Sequence, residues 1–279
     1  MPKSRSRTRA WSIPGGKSMK NQDIWLIVSD FDETFMPAME SREPDAGIER
    51  LQNHLAGLKR SHKLLFGWAT GNSRSAVMEK MRAYPDFPWD FALTSLGTEL
   101  YWREAEGVVE DAGWPPQAGA AFESRMERLV ALFCQHGLAL PAQSDAFQQR
   151  RIRGYYLPAD GKEGAAIEQI HRLCAHVGLT ASITHASPAA GDPEGVYDVA
   201  ILPPGCGKKQ GVDFIAARHG VDPRRVIVFG DSCNDIEMLT GYENGYLVGN
   251  ALAEARRVFD RVVDGIYCHG IIDGLQRHI

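Results

Sequence analysis

The chain has 279 residues, of which 44% are hydrophobic and 24% are charged, which is ordinary for a globular protein with a sizeable buried core. This length fits one large domain or two modest ones. The net charge of −4 and the pI of about 6.1 argue against a nucleic-acid partner, and no run approaches the roughly 18 apolar residues of a membrane span.

Residues 1–22 are basic and contain serine and glycine, and the first acidic residue is Asp23. We expect a flexible basic tail, with Met19 as a possible true start of the chain. A transit peptide or a nucleic-acid-binding arm is the alternative. A signal peptide is not predicted, because the segment has no apolar core.

From Asp23 onward, short apolar runs alternate with amphipathic stretches. Strands are predicted near 24–29, 63–68, 90–95, 225–229 and 244–248. Helices are predicted near 44–59, 73–82, 208–219 and 233–239. Strands that alternate with helices form parallel βαβ units with right-handed crossovers. The sequence therefore predicts the α/β class, with a Rossmann-like, doubly wound parallel sheet as the core.

The pattern changes after the Pro/Gly-rich break GWPPQAG (113–119). Helices are predicted at 120–136 and 163–177, and strands at 150–158, 179–185 and 196–202. We interpret residues 113–200 as an α+β domain inserted into a catalytic core formed by residues 23–112 and 201–279.

Four loops of the predicted core carry polar residues just after a strand or at the start of a helix. They are Asp30-Phe31-Asp32-Glu33-Thr34, Ala69-Thr70-Gly71-Asn72, Gly207-Lys208-Lys209 and Gly230-Asp231-Ser232-Cys233-Asn234-Asp235. Because the carboxyl ends of parallel strands meet at one edge of a sheet, we expect these loops to converge. Each fragment alone is also explained by a turn, a helix cap or a solvated charge pair, whereas the ordered set is specific.

The converged loops suit phosphoryl transfer through a covalent aspartyl phosphate, with Asp30 as nucleophile and Asp32 as general acid and base. Carboxylates crowded at a buried strand end repel one another, and Mg²⁺, which prefers oxygen ligands, would relieve that conflict. The predicted metal ligands are Asp30, Asp32 through its backbone carbonyl, Asp231 and Asp235. The predicted phosphate-binding residues are Thr70, Gly71, Asn72, Lys208 and Asn234.

At these residues the chain resembles the haloacid dehalogenase (HAD) superfamily of phosphatases, whose D-x-D-x-T, Thr/Ser, Lys and G-D-x-x-N-D motifs occur here in order. The insert resembles the class IIB cap of Cof-type sugar phosphatases and sucrose-phosphate phosphatases. The resemblance covers nearly all of the chain from residue 23 onward. It implies an Mg²⁺-dependent phosphatase whose mobile cap closes over a small-molecule sugar phosphate.

Two positions depart from the superfamily pattern, because Glu33 and Lys209 stand where glycine is usual. The second departure leaves open which lysine faces the phosphate, and the spacing favours Lys208. DFDET, LFGWATGNS (65–73), SLGTEL (95–100) and AGDPE (190–194) look most like the kanosamine-6-phosphate phosphatase branch, which serves amino-sugar antibiotic synthesis. This resemblance implies a hexose 6-phosphate such as kanosamine 6-phosphate, with sucrose 6-phosphate or another sugar phosphate as the alternative.

The cap is expected to recognise the sugar. The predicted substrate contacts are Arg151, Tyr155, Asp192 and Glu194. A carboxylate near an amino substituent would favour an amino sugar over a neutral hexose, although a surface role is equally open for each residue. Tyr197 and Asp198 lie near the point where the chain returns to the core, so a structural role is as well supported for them.

Other classes of function remain open at this point. A phosphoaccepting signalling domain also combines acids, Thr and Lys around magnesium, but it needs no large insert and lacks G-D-x-x-N-D. A catalytically inactive sugar-phosphate-binding regulator would have no need of both Asp30 and Asp32, and a phosphomutase is disfavoured by the large cap. The five scattered cysteines lack C-x-x-C spacing, which predicts reduced thiols in a cytoplasmic protein. We expect a monomer or a homodimer.

Overall fold

The computed structural model describes residues 23–38, 47–115, 121–186 and 192–279. The predicted tail, the start of the helix predicted at 44–59, part of the 113–119 break and much of the loop 187–195 lie outside these ranges. Within the described ranges, none of the helices has the length and apolar character needed to cross a membrane.

A seven-stranded sheet forms the larger part of the molecule, with strand order β11-β10-β1-β2-β3-β4-β5. The first five strands in this order are parallel, and β4 and β5 continue the sheet as an antiparallel hairpin. The strands are β1 (Ile24–Ser29), β2 (Lys63–Ala69), β3 (Phe91–Thr94), β4 (Glu99–Glu104), β5 (Gly107–Glu110), β10 (Val226–Gly230) and β11 (Asn244–Leu247).

Helices cover both faces of this sheet. On one face lie α1 (Ile48–Ser61), α2 (Arg74–Lys80) and α8 (Tyr267–Leu275), and on the other lie α5 (Lys208–His219), α6 (Ile236–Thr240) and α7 (Ala253–Val258). Three successive buried residues of the central strand β1 are apolar because neighbouring residues pack on opposite faces of the sheet. Ile27 packs into the first layer, whereas Leu26 and Val28 pack into the second.

A smaller sheet of order β6-β7-β9-β8 is wholly antiparallel and is backed by two helices. Its elements are β6 (Gln148–Gln149), β7 (Ile152–Pro158), β8 (Thr180–His185), β9 (Val196–Leu202), α3 (Phe122–Gln135) and α4 (Glu163–His176). Leu129 and Phe133 of α3 and Ile170 of α4 pack against Val199 and Ile201 of the sheet. This core is separate from those of the large sheet.

The predicted fold class is confirmed, since a parallel-rich sheet covered by helices is accompanied by a smaller α+β unit. The sequence analysis did not predict the β4–β5 hairpin, the short strand β6, or helices α7 and α8. The helix predicted at 233–239 begins as a 3-10 turn, Cys233–Asp235, before α6. The proposed boundaries at 112/113 and 200/201 stay predictions.

Candidate active site

Parallel pairing brings the predicted loops to one edge of the large sheet. The amide of Asp30, just after β1, donates to the carbonyl of Phe229 in β10 over 2.9 Å, and the amide of Thr70, just after β2, donates to Leu93 in β3 over 2.9 Å. Four neighbouring strands, β10, β1, β2 and β3, thus end together, and α5 begins at Lys208.

Lys208 ties three of these loops to one point. Its Nζ lies 2.9 Å from Oδ1 of Asp30, 2.9 Å from Oδ1 of Asn234 and 2.7 Å from Oδ1 of Asp235. Burial alone would lower the pKa of this ammonium, but the carboxylates of Asp235 and Asp30 raise it, so Lys208 carries a full charge. Lys209 instead pairs with Asp213 on the exposed side of α5.

Three buried carboxylates form a group that could hold a metal ion. Asp30, Asp231 and Asp235 each offer an oxygen within 4.8 Å of the others. Burial raises the pKa of Asp30 from 3.8 to about 7, against the opposing charge of Lys208. Burial and the charges of Asp235 and Asp30 raise the pKa of Asp231 well above its usual value.

The donor set of this group fits magnesium. All of its atoms are hard carboxylate oxygens, and one ammonium does not balance three buried acids, so a divalent cation would take the place of protons there. Oδ2 of Asp235 accepts from the amides of Asp231 and Ser232 over 3.1 and 3.2 Å, which turns Oδ1 toward Lys208. Thr34 donates to Asp231 over 3.0 Å.

Asp32 stands apart from the three buried acids. Its Oδ1 accepts from Nζ of Lys80 over 2.5 Å, and its Oδ2 accepts from Nδ2 of Asn72 over 2.6 Å. The prediction that Asn72 binds phosphate stays a prediction, and its side chain here holds Asp32. Its amide donates to the Thr70 hydroxyl over 3.1 Å, with Gly71 at the turn between them.

Sequence reasoning missed Lys80 and Asn250. Asn250 donates from Nδ2 to the carbonyl of Glu33 over 2.6 Å and thereby holds the first loop from the C-terminal part of the chain. Lys80 ends a helix, where a lysine is ordinarily explained by the helix dipole and solvent. Nothing near Lys80 in the sequence indicates its contact with Asp32, which lies 48 residues earlier in the chain.

A cavity of ≈ 210 Å³ lies between the small sheet and the catalytic loops. Its lining includes Thr180, Ser182 and Leu202 from the small sheet and Lys208, Asn234 and Glu237 from the large unit. This position suits a substrate whose phosphate points to Lys208 and whose remaining part contacts the small sheet.

Strand register shows which residues of the small sheet share the cavity face. Asp198 pairs across the sheet with Tyr156 and Thr184, and alternate residues of a strand share one face. Asp198 therefore lies on the same face as Leu202, which lines the cavity. The sequence analysis left Asp198 a structural role and did not single out Tyr156.

Asp198 is bound within a polar group on this face. Nε2 of Gln143 donates to its Oδ1 over 2.8 Å, and Asp192 hydrogen-bonds both Asp198 and Tyr156. Burial, followed by the charge of Asp192, raises the pKa of Asp198 from 3.8 to about 7. Two carboxyl groups in contact, one of them retaining its proton, can exchange that proton for a cation.

The structure places the four predicted substrate contacts of the cap in different surroundings. Tyr155 is a correction, because alternation turns its ring away from the cavity and onto Phe133, 6.5 Å between centroids. Arg151 pairs with Glu110 of the β4–β5 hairpin over 3.2 Å and so joins the two units. Asp192 hydrogen-bonds Asp198 and Tyr156, and these three residues form the cavity-face group, whereas Glu194 is exposed.

Comparisons with known proteins find relatives along nearly the whole chain. The family model described as sucrose-6F-phosphate phosphohydrolase matches residues 24–278. A kanosamine-6-phosphate phosphatase of Bacillus subtilis is 32% identical over 265 residues, covering 91% of this chain and 93% of that protein. Among solved structures, a haloacid dehalogenase-like hydrolase from Bacillus subtilis (yhjK) has a TM-score of 0.70 at 28% identity, covering 94% of each chain. A sucrose-phosphatase from Synechocystis, solved with sucrose and phosphate, has a TM-score of 0.68 at 23% identity, covering 93% of this chain and 98% of that one, and supports the fold.

Proposed function

Because the chain belongs to the sucrose-6F-phosphate phosphohydrolase family of HAD phosphatases, we propose that it hydrolyses a hexose 6-phosphate through an aspartyl phosphate, with Mg²⁺ as cofactor. The observation that carries the proposal is the position of Lys208, which joins Asp30 and Asp235 beside Asp231 while Asp32 is held separately. A nucleophile and an acid–base group are thus available as two distinct carboxylates. The phosphoaccepting signalling domain considered above is wrong for a phosphatase of this family.

In the first step an oxygen of Asp30 attacks phosphorus and the bond from phosphorus to the sugar oxygen breaks. Asp32 gives that oxygen a proton, so the sugar leaves as an alcohol. In the second step Asp32 takes a proton from water, which attacks the phosphorus of the aspartyl phosphate. Inorganic phosphate leaves and Asp30 is restored, so each turnover consumes one water molecule.

The remaining loop residues would bind the phosphate and the metal. Lys208, Thr70 and Asn234 would bind phosphate oxygens, with the backbone at Gly71 and Asn72 beside them. Asp30, Asp231, Asp235 and the backbone carbonyl of Asp32 would hold magnesium. When bound, magnesium supplies positive charge that offsets the repulsion between the phosphate and the carboxylates.

For the sugar we propose kanosamine 6-phosphate or a related amino-hexose phosphate. The support is the identity to kanosamine-6-phosphate phosphatase and the group of Asp198, Asp192 and Tyr156 on the cavity face. A carboxylate there would pair with the ammonium of an amino sugar. Arg151 and Glu194 stay weaker proposals, as contacts to sugar hydroxyls, and Arg151 is already paired with Glu110.

Sucrose 6-phosphate is the second candidate, because the family description and one structural neighbour name sucrose. The test is phosphate release by the purified protein with magnesium from kanosamine 6-phosphate, glucose 6-phosphate and sucrose 6-phosphate. We expect the highest kcat/KM with the amino sugar. A tenfold preference for sucrose 6-phosphate, which is about 1.4 kcal/mol, would replace the amino-sugar proposal, and no release from any substrate would contradict the phosphatase mechanism.

A further inference from the structure

Both oxygens of Asp32 are held by residues at the two ends of α2. Asn72 lies just before the helix and Lys80 is its last residue. Helical side chains lean toward the N-terminus of their helix, so the Lys80 side chain extends back toward Asn72 and the first loop. The ammonium and the amide reach different oxygens of the same carboxylate, 2.5 and 2.6 Å away.

The position of Lys80 is itself fixed. Its Nζ lies 5.7 Å from the centroid of the Phe31 ring, and Phe31 stands between the two aspartates of the first loop. That ring is fully buried and packs edge-on against Trp68, 5.3 Å between centroids. The ammonium is thus anchored by an immobile aromatic face as well as by the carboxylate.

Lys80 also separates the acids of the site by charge. Lys208 forms ion pairs with Asp30 and Asp235, whereas Lys80 forms an ion pair with Asp32. Asp32 therefore has its own cation and is oriented independently of the three acids that could hold a metal. A carboxylate that must hand a proton to the leaving oxygen and later accept one from water depends on such fixed orientation.

We propose that Lys80 is a positioning residue that acts through Asp32 and so controls proton transfer to the leaving group. This inference rests on the proposed phosphatase function. It predicts that the first step, which kcat/KM reports, depends on the leaving group, because a sugar alkoxide needs a proton from Asp32 while p-nitrophenolate leaves without one. A residue that merely stabilised the fold would affect both substrates alike.

The test compares Lys80→Met, Lys80→Gln and Lys80→Arg with Lys59→Met as the matched control. Lys59 makes a similar ion pair with Asp90 over 2.7 Å, both side chains 25% exposed against 32% for Lys80 and Asp32, but it lies outside the site. We expect Lys80→Met and Lys80→Gln to lower kcat/KM for the sugar phosphate about tenfold or more. The kcat/KM for p-nitrophenyl phosphate, which reports only the steps through loss of p-nitrophenolate, should stay within about twofold. Lys80→Arg should recover most of the loss, and Lys59→Met should retain the wild-type rate on both substrates.

A double-mutant cycle completes the test. In an Asp32→Asn background, Lys80→Met should change kcat/KM by less than about twofold, because the group it positions is gone. Equal losses of kcat/KM on both substrates, or a Lys80→Met loss that adds in full to that of Asp32→Asn, would overturn the inference while leaving the phosphatase intact. A wild-type protein that releases no phosphate would instead contradict the proposed function.

Discussion

The hydroxyl of Tyr267 donates a 3.1 Å hydrogen bond to Oε2 of Glu33, and both residues have a positive φ, 47° and 58° respectively. Glycine is usual in the superfamily at the position of Glu33, and glycine adopts such a φ without strain. Glu33 adopts this strained backbone conformation, and its side chain makes hydrogen bonds that glycine could not make. Its Oε1 also accepts from the amide of Ala38 over 3.0 Å, so the side chain closes the first catalytic loop.

This arrangement predicts an order of stability among variants at Glu33. Glu33→Ala loses both side-chain hydrogen bonds and keeps the strain, whereas Glu33→Gly loses the same bonds and relieves it. We expect Glu33→Gly to exceed Glu33→Ala by about 1 kcal/mol in the free energy of unfolding, and both to lie below wild type. Urea denaturation measures the difference, and an alanine variant as stable as the glycine variant would contradict the account.

Much of the core was predictable because it rests on local patterns. The apolar run of β1 and the loops after β1, β2 and β10 have sequence signatures, and parallel pairing then brings the loops together. The β4–β5 hairpin lacks such a signature, because β4 mixes charged with aromatic residues and β5 has only four residues. Its place was set by pairing with β3.

The partners of the site residues were less predictable because they come from distant positions. Asn250 reaches the Glu33 carbonyl across 217 residues of chain, and nothing near either residue indicates the contact. For Tyr155 and Tyr156 the error was one of register. The two tyrosines are adjacent, so each face of β7 carries one of them. Only the pairing with β9 shows that Tyr156 shares the face of Asp198.

Replacing the proposed nucleophile tests the covalent mechanism. Asp30→Asn should abolish turnover, because an amide does not form an acyl phosphate, and the fold should persist because asparagine is isosteric. Its carbonyl oxygen can still accept the Lys208 hydrogen bond. Phosphate release and circular dichroism on the same preparation measure both effects. Substantial activity in the folded variant would exclude Asp30 as nucleophile.

The metal prediction can be measured without turnover. Removing one of the crowded acids with Asp231→Asn should raise the Tm of the metal-free protein, because burial and neighbouring charges oppose ionisation of that acid. Adding Mg²⁺ should raise the Tm of wild type, since a ligand that binds the folded state stabilises it, and should raise that of Asp231→Asn far less. EDTA should stop the reaction. Equal Tm shifts with magnesium in both proteins would show that Asp231 does not bind the metal.

The raised pKa of Asp198 predicts a pH-dependent contribution to stability. Unfolded Asp198 ionises near 3.8, whereas the folded group keeps its proton to about 7, so the folded state binds more protons between these values. The contribution of Asp198 to stability therefore falls as pH rises from about 4 to about 7. Asp198→Asn removes this loss, so its Tm relative to wild type should increase over that range. A difference independent of pH would show that the proton is not held in the folded state.

The same cavity-face group should decide the preference for an amino sugar. An ammonium paired with a partly desolvated carboxylate contributes roughly 1.5–3 kcal/mol, which is about ten- to a hundredfold in kcat/KM between kanosamine 6-phosphate and glucose 6-phosphate. Asp198→Asn keeps the size of the side chain and its acceptor for Gln143 but removes the charge. We expect this variant, and Asp192→Asn, to lose most of the preference while keeping the rate on p-nitrophenyl phosphate.

Glu194→Gln is the matched control, because it removes one acid of the same loop from an exposed position. It should retain the wild-type preference, which separates a specific pairing from the general negative charge of the loop. A loss of preference in Glu194→Gln and not in Asp198→Asn would show that the amino group is recognised by Glu194 and not by the cavity-face group. The catalytic loops would be untouched by that result, because Lys208 and the acids around it belong to the large sheet and not to the strands that carry Asp198.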